Sequence, residues 1–264
     1  MRNALVNECR PLGHLEKAVL AVALSWGAGI IDAVGYLSLY KAFVAHMTGN
    51  TVSSVLHAFS RDWMDVFHRA MPIPMFFMGL MMGEIVLERA KRRRRRHVAS
   101  RALAVEAMML AAFLGAGLPL FGATPHIQGA SPGEFGFLVA VIAVAMGVQS
   151  ASLRKVGALT VFTTFITGTL TKLANDLSEY LFWLRDRTKG RFRRRIGPAL
   201  RISGRQESFQ SVVLLSALYV AYALGGLCGA AGFHWIGIAI AAIPLTLILA
   251  AIATDLLRPI SPVP

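Results

Sequence analysis

The sequence predicts an all-α polytopic membrane protein with six transmembrane helices and two re-entrant half-helix segments in an inverted repeat. Its 264 residues are 55% hydrophobic and only 16% charged, and the mean hydropathy of +0.57 exceeds that of ordinary soluble domains. Six apolar stretches are about long enough to cross a hydrocarbon core roughly 30 Å thick. Two further stretches, half apolar and half polar, share a Thr-Gly pair.

The six predicted spans form one membrane domain, residues 1–264, because little soluble chain lies between them. In residue numbers they are 17–40, 74–88, 102–122, 135–153, 211–232 and 235–257. The second is the shortest, and it begins behind Pro72 and Pro74, which suit a first helical turn.

The positive charge is concentrated in two loops. Of the 27 Lys and Arg residues, eight lie in 89–101 and nine in 185–205. Short cytoplasmic loops are enriched in these residues, so both loops are predicted to lie on the cytoplasmic side of a bacterial inner (plasma) membrane. The apolar flanks leave no room for a nucleic-acid-binding domain. Anionic lipid head groups are the expected partners of the runs from Arg92 to Arg96 and from Arg191 to Arg195.

The two Thr-Gly stretches, 42–60 and 156–184, are predicted to dip into the membrane without crossing it. An even number of spans must separate two cytoplasmic loops, yet three apolar stretches lie between them. The third carries Lys172, Asp176 and other polar residues that are costly in lipid, so it is predicted to enter and return on the cytoplasmic side. The same count makes 42–60 enter from the outer face and puts both termini in the cytoplasm.

Each half of the chain then holds three spans and one re-entrant segment, as repeat 1 (about 17–122) and repeat 2 (about 135–257). An odd number of spans inverts the second repeat relative to the first. The Thr-Gly stretches are offset by 119 residues, and a Gly-x-x-x-Gly pattern follows each, at Gly79/Gly83 and Gly225/Gly229. This spacing lets helices approach closely within one chain or between chains, which leaves a homo-oligomer open.

Each Thr-Gly pair is predicted to start a helix inside the membrane, with Thr48 and Thr167 as N-caps. Two such N-termini meeting near the midplane would present positive dipole ends to a small polar or anionic solute. The residues expected to bind it are Thr48, Gly49, Asn50, Thr167, Gly168 and Thr169.

Polar residues near these starts are expected to line the path of the solute. They are Asp32, His46, Ser53, His57, Lys172 and Asp176. Lys172 and Asp176 are spaced i,i+4 and can neutralise each other. The alternative is that these side chains only hydrogen-bond the re-entrant helices to the bundle.

Acidic side chains inside apolar segments are further candidates. Asp32 is either a proton or cation site, the partner of a cation, or an acceptor for backbone donors of the broken segment nearby. His46 either titrates near neutral pH or is an ordinary buried ring. Glu84 and Glu106 lie near the cytoplasmic ends of their spans beside the arginine loop and are expected to form salt bridges there, with a role in transport as the alternative.

No catalytic set, metal site or cofactor site is predicted. The sequence has no His-Glu-x-x-His and no phosphate-binding glycine loop, and Cys9 and Cys228 have no paired spacing. An enzyme is therefore not expected, although Asp32, His46 and His57 could converge in space.

Four motifs together resemble the YoaK-like family, uncharacterised bacterial inner-membrane proteins defined by a domain of unknown function (1275). They are GIIDA from Gly29, FVAHMTGNT from Phe43, MGVQ from Met146 and TTFITGT from Thr163. The likeness covers about residues 15–257, and the basic stretch 185–205 is longer than expected for most relatives. The resemblance implies a multi-span membrane protein; some members are loosely labelled permeases, but no substrate is implied.

The leading hypothesis is therefore a permease or channel-like transporter of a small polar or anionic solute. The alternative is a non-transporting membrane protein that binds anionic lipid or a cytoplasmic partner through its basic loops. An intramembrane enzyme is the third.

Overall fold

The apolar segments form long helices in the computed structural model, which describes residues 12–121, 131–152, 155–156, 159–160, 166–188, 202–204 and 206–260. The main helices are α1 (His14–Ser38), α2 (Met47–Phe59), α3 (Trp63–Ala70), α4 (Pro72–Arg92), α5 (Val98–Phe121), α6 (Pro132–Ser152), α7 (Ile166–Thr188), α8 (Glu207–Ile236) and α9 (Ala242–Leu257). A 3-10 helix, Gly237–Ala241, joins α8 to α9. Lys155–Val156 pairs antiparallel with Leu159–Thr160, a small exception to the all-α prediction.

Within the described residues, five stretches are long and apolar enough to cross a membrane by length and composition. They are His14–Ser38, Trp63–Arg92, Val98–Leu120, Gly133–Ser152 and Glu207–Leu257. The helical, multi-pass class predicted from the sequence is therefore confirmed. The short predicted span 74–88 proves to be part of a 21-residue helix, α4, with proline in its first turn and three basic residues in its last. Both features favour a longer helix.

The fifth stretch is a pair of helices that folds back on itself. Gly237 ends α8 with a φ of 59°, a left-handed conformation that glycine adopts without strain. A Cβ at Gly232 would lie 3.4 Å from Cβ of Ile240, which eight residues of continuous helix could not allow. The predicted boundary near 232–235 is therefore a few residues too early.

Close contacts give the directions of the helices. Trp26 and Ile30 of α1 lie against Gly225 and Gly229 of α8, so these two helices run parallel. Helix α9 runs the other way, because Arg258 at its end pairs with Glu16 at the start of α1.

A second parallel pair consists of α4 and α6. Gly79 lies against Val144, and Gly83 against Val148 and Ala151. Helix α6 is antiparallel to α1, because Phe135 near its start packs on Tyr40 beyond the end of α1, while Gln149 near its end bonds to Leu24 in the middle of α1. The two pairs therefore point in opposite directions.

Two elements differ from the predicted organisation. Helix α3 was not predicted, and it separates α2 from α4. Helix α7 extends to Thr188, so the basic stretch predicted as the loop 185–205 begins inside a helix, where Arg185 and Arg187 complement the dipole of its last turn. Most of the remainder of that stretch lies outside the described residues.

Candidate functional site

The segment between α1 and α2 lies against the side of α1 and is held there by Asp32. This side chain is only 4% exposed. Its Oδ1 accepts hydrogen bonds from the backbone amides of Val44 and Ala45, both at 3.0 Å. Its Oδ2 accepts from the hydroxyl of Tyr222 on α8 and contacts Nδ1 of His46. Of the roles left open by the sequence, acceptor of backbone donors is therefore one that Asp32 fills.

Two more residues fix the same segment. A Cβ at Gly35 would lie 2.7 Å from Cγ1 of Val44, so glycine is what lets the segment lie on α1. Asn50 bonds to both backbone groups of Phe43, accepting from its N–H at 2.9 Å and donating to its carbonyl at 2.6 Å. Because both the amide oxygen and the amide nitrogen of Asn50 form these bonds, the side chain fixes the backbone at Phe43, just before α2 begins.

Helices α2 and α7 begin near the predicted positions, but the predicted caps are wrong. Helix α2 starts at Met47, and its N-cap is His46 without a side-chain cap bond. Helix α7 starts at Ile166. Thr48 and Thr167 are therefore both inside the first turn. For Thr48 the physical reason is that Asp32 anchors the backbone up to Ala45 and the ring of His46, so the helix begins directly behind that anchor.

The two helix starts share a pattern of exposure. Thr48 and Thr167 are exposed, Gly49 and Gly168 are partly buried, and the next residues are buried. The buried residues are Asn50, at 1% exposure, and Thr169, at 3%. The order of exposed, partly buried and buried residues is therefore the same at these positions, which are 119 residues apart.

The side chain of His57, near the end of α2, contacts α3. His57 contacts the carbonyl oxygen of Ser53 through Nδ1 and a carboxylate oxygen of Asp65 through Nε2, both at 3.0 Å. Ser54 donates to the carbonyl of Asn50. His57 thus does not join Asp32 and His46, and the three-residue convergence that would favour an enzyme is not formed.

Helix α7 is fastened to α8 through Asp176. The predicted pair is confirmed, since Nζ of Lys172 lies 2.9 Å from Oδ2 of Asp176. The same carboxylate also accepts from the hydroxyl of Ser211 on α8. Asp176 is buried, whereas the ammonium of Lys172 is partly exposed.

The helix starts lie at a similar level of the bundle. Asp176 meets Ser211 and Glu179 meets Ser208, so α7 runs antiparallel to α8. Thr169, seven residues before Asp176, is then about 10 Å further along α8, within about one turn of Tyr222, which contacts His46. Nevertheless, α2 packs mainly on α3 and α4, and α7 mainly on α8.

Glu106 is an acidic residue whose environment the sequence did not predict. Glu106 is 1% exposed, and within the part of the chain that the structure describes neither of its carboxylate oxygens has a hydrogen-bond partner. The predicted salt bridge with the arginine loop is therefore wrong, because Glu106 lies two turns inside α5 and faces the core. Gln149 of α6 lines the same small space; its amide nitrogen donates to the carbonyl of Leu24 at 3.3 Å, and its oxygen has no partner.

Comparison with known proteins identifies the family. Residues 20–254 match the model of DUF1275, described as a protein of unknown function. The chain is 31% identical over 156 residues to the UPF0700 transmembrane protein YoaK of Bacillus subtilis strain 168. That alignment covers 59% of this chain and 65% of the relative, so it leaves about a third of the relative's length unmatched. No solved structure matches.

Proposed function

This chain belongs to the DUF1275 family of unknown function, and we propose that it is a permease or channel-like transporter of a small polar or anionic solute. The observation that carries the proposal is the repeated packing of two helix pairs that point in opposite directions. Such inverted repeats are typical of secondary transporters, whose solute sites lie where the repeats meet.

The correspondence extends to individual contacts. Trp26 against Gly225 in the pair α1/α8 has its counterpart in Val144 against Gly79 in the pair α6/α4. Likewise Gly229 lies against Ile30, as Gly83 does against Val148. Each contact residue of α1 corresponds to the residue of α6 that lies 118 positions later in the sequence. Each contact glycine of α4 corresponds to the glycine of α8 that lies 146 positions later. This agreement supports two repeats of the same architecture.

Six spans and two re-entrant helices are the arrangement that this symmetry favours. Helices α1, α4, α5, α6, α8 and α9 would cross in alternating directions, while α2 and α7 would each enter from one face. His97 at the start of α5 bonds to the backbone of Asp255 near the end of α9. The arginine loop and both ends of the described chain therefore share one end of the bundle, which we assign to the cytoplasm of a bacterial inner membrane.

The solute site would lie between the starts of α2 and α7, near Tyr222. Free N–H groups in the first turn of each helix would donate to the solute. Thr48 and Thr167 are exposed at these starts, as binding residues need to be. Asn50 would act differently from the expectation that it binds the solute, because together with Asp32 it holds the α2 start in place.

Gly49 offers the sharpest test of this site. A Cβ there would lie 3.4 Å from the ring of Phe43, an ordinary contact, so Gly49→Ala is expected to fold. It would nevertheless place a methyl group beside the open N–H groups, and Gly49→Val would cover more of them. Gly115→Ala is the matched control, because a Cβ there would meet no atom within 4 Å.

The experiment is a thermal-shift screen of the purified protein against small anions and polar metabolites, followed by uptake into proteoliposomes. A compound that stabilises and enters with the parent and Gly115→Ala, but fails with Gly49→Val, supports the proposal. Equal uptake by Gly49→Val would move the site elsewhere.

The alternative of a lipid- or partner-binding protein is favoured by the exposure of Arg92 to Arg96. It predicts binding to vesicles with anionic head groups that is lost when these arginines become Gln, with no uptake of any solute. An intramembrane enzyme would instead consume its ligand in the same assay.

A further inference from the structure

A narrow space between the helices contains an acid that has no hydrogen-bond partner among the described residues. Glu106 of α5 lies about 12 Å from the start of its helix, and no described residue forms a hydrogen bond with either of its buried oxygens. Besides Glu106 and Gln149, the space is lined by residues of α1, α5 and α9, among them Leu24, Ile31, Leu110 and Ile248. All the lining residues except Glu106 and Gln149 are apolar, and the space is too small to admit a water molecule.

An ionised Glu106 would have nothing there to stabilise it. Removing a carboxylate from water costs several kcal/mol even after relaxation, and burial without a donor makes ionisation unfavourable. Gln149 does not supply the donor. Its amide nitrogen donates to the carbonyl of Leu24, and its second N–H makes no bond to Glu106, whose oxygens have no partner among the described residues. The oxygen of Gln149 has no partner among these residues either. A carbonyl oxygen is an acceptor, so it suits a neutral acid and opposes an anion.

The charged groups on the neighbouring helices have interactions of their own or are exposed. Asp32 on α1 accepts from the 44–46 segment and Tyr222. Asp255 on α9 accepts from the amides of Ser100 and Ile260. Glu134 at the start of α6 accepts from the amide of Ser131.

Two further groups lie on the helices that carry or flank Glu106. Arg101 on α5 is exposed. Glu84 on α4 takes part in a hydrogen bond or an electrostatic interaction. None of these groups supplies Glu106 with a hydrogen bond or an ion pair, since its oxygens have no partner among the described residues.

We propose that Glu106, with Gln149 as its neighbouring acceptor, is a proton-binding site in the interior of the bundle. The bound ligand is a single proton, held as a neutral carboxylic acid; a hydrated cation does not fit the space. Because water cannot reach Glu106 in this conformation, loading and release of the proton require α5 to separate from α1, α6 or α9. The site is distinct from the proposed solute site and does not depend on it.

Infrared spectroscopy of the purified protein in lipid at neutral pH tests the proposal without knowledge of any solute. A protonated carboxyl group absorbs apart from ionised carboxylates and amides. We expect such a band in the parent and its loss in Glu106→Gln, which has the shape of the neutral acid and should fold. Gln149→Leu should shift the band without removing it, because the acid loses its acceptor.

Glu179→Gln is the control for the loss of any glutamate, since Glu179 is exposed and accepts from Asn175 and Ser208. It should leave the band unchanged. A parent spectrum from which Glu106→Gln removes no protonated carboxyl band would overturn the proposal. So would a band that Glu179→Gln removes to the same extent.

Discussion

Gly29 and Gly147 meet their neighbouring helices in almost the same way. A Cβ at Gly29 would lie 2.1 Å from the carbonyl oxygen of Tyr222, and one at Gly147 would lie 2.2 Å from that of Phe76. No other residue fits without moving backbone, so each glycine sets the distance between two helices. Such close approach is how membrane helices gain packing energy where no hydrophobic effect drives them together.

Gly29→Ala and Gly147→Ala are therefore expected to destabilise the protein to a similar extent. Each methyl group would force two helix backbones apart, and overpacking of this kind typically costs about 1–3 kcal/mol. Thermal unfolding of the purified protein, followed by loss of the monodisperse peak in size-exclusion chromatography, measures the effect. Gly115→Ala should melt with the parent. If one glycine tolerates Ala and the other does not, the two helix pairs are not equivalent.

Asp32 gives a second prediction, on the anchoring of the 39–46 segment. Asp32→Ala leaves the amides of Val44 and Ala45 buried without an acceptor, at a cost of about 1–3 kcal/mol for each unsatisfied group. Asp32→Asn keeps one acceptor oxygen and should be milder. The measurement is thermal stability, together with the labelling rate of a cysteine at Thr48 in a chain whose native cysteines are replaced by Ser.

A loosened segment should raise that labelling rate in Asp32→Ala above the rate in Asp32→Asn. Tyr222→Phe is the matched variant, because it removes one donor to Asp32 and keeps the hydrogen bonds that Asp32 accepts from the backbone amides of Val44 and Ala45. Equal stability of Asp32→Ala and the parent would mean that Asp32 does not anchor the segment.

Most of the helices could be predicted from the sequence because long apolar runs have few alternatives in a membrane. The helix starts near Thr48 and Thr167 could also be predicted to within two residues, because the same Thr-Gly pattern occurs at both positions. Which helix packs on which could not be predicted. The Gly-x-x-x-Gly motifs were evident, but the glycines that complete the contacts, Gly29 and Gly147, depend on a partner that only the tertiary structure provides.

The candidate site was harder to predict, for two reasons. Thr48 has the chemistry of an N-cap, but the anchoring of His46 by Asp32 decides where the helix begins, and that contact spans 14 residues. Glu106 was expected to reach the arginine loop because it is near in sequence. The direction that its side chain faces depends on the packing of α5 against α4, α6 and α9, which a single acidic residue in an apolar run does not reveal.

A third prediction concerns membrane topology. Single cysteines at Arg94 and Glu16 should react with a membrane-impermeant reagent only from the cytoplasmic side, and cysteines at Asp62 and Glu134 only from the outer side. The first two lie at the end of the bundle where His97 meets Asp255, and the others lie at the opposite end. Labelling of Arg94 and Asp62 from the same side would contradict the crossing of α4.

The pair Lys172 and Asp176 gives the last prediction. Removing Lys172 leaves a buried carboxylate with a neutral partner, the hydroxyl of Ser211, so Lys172→Met should destabilise the protein. Because the ammonium is partly exposed, we expect a cost of about 1 kcal/mol rather than that of a fully buried pair. Adding Asp176→Asn removes the uncompensated charge and keeps an acceptor for Ser211. The double variant should therefore be more stable than Lys172→Met alone, and a double-mutant cycle by thermal unfolding measures the coupling.

Thr171→Ala serves as the control, since its exposed hydroxyl bonds back to the carbonyl of Thr167. Additive effects of the two substitutions would mean that the ion pair does not help to hold α7 on α8, and that the bond between Ser211 and Asp176 does so without it.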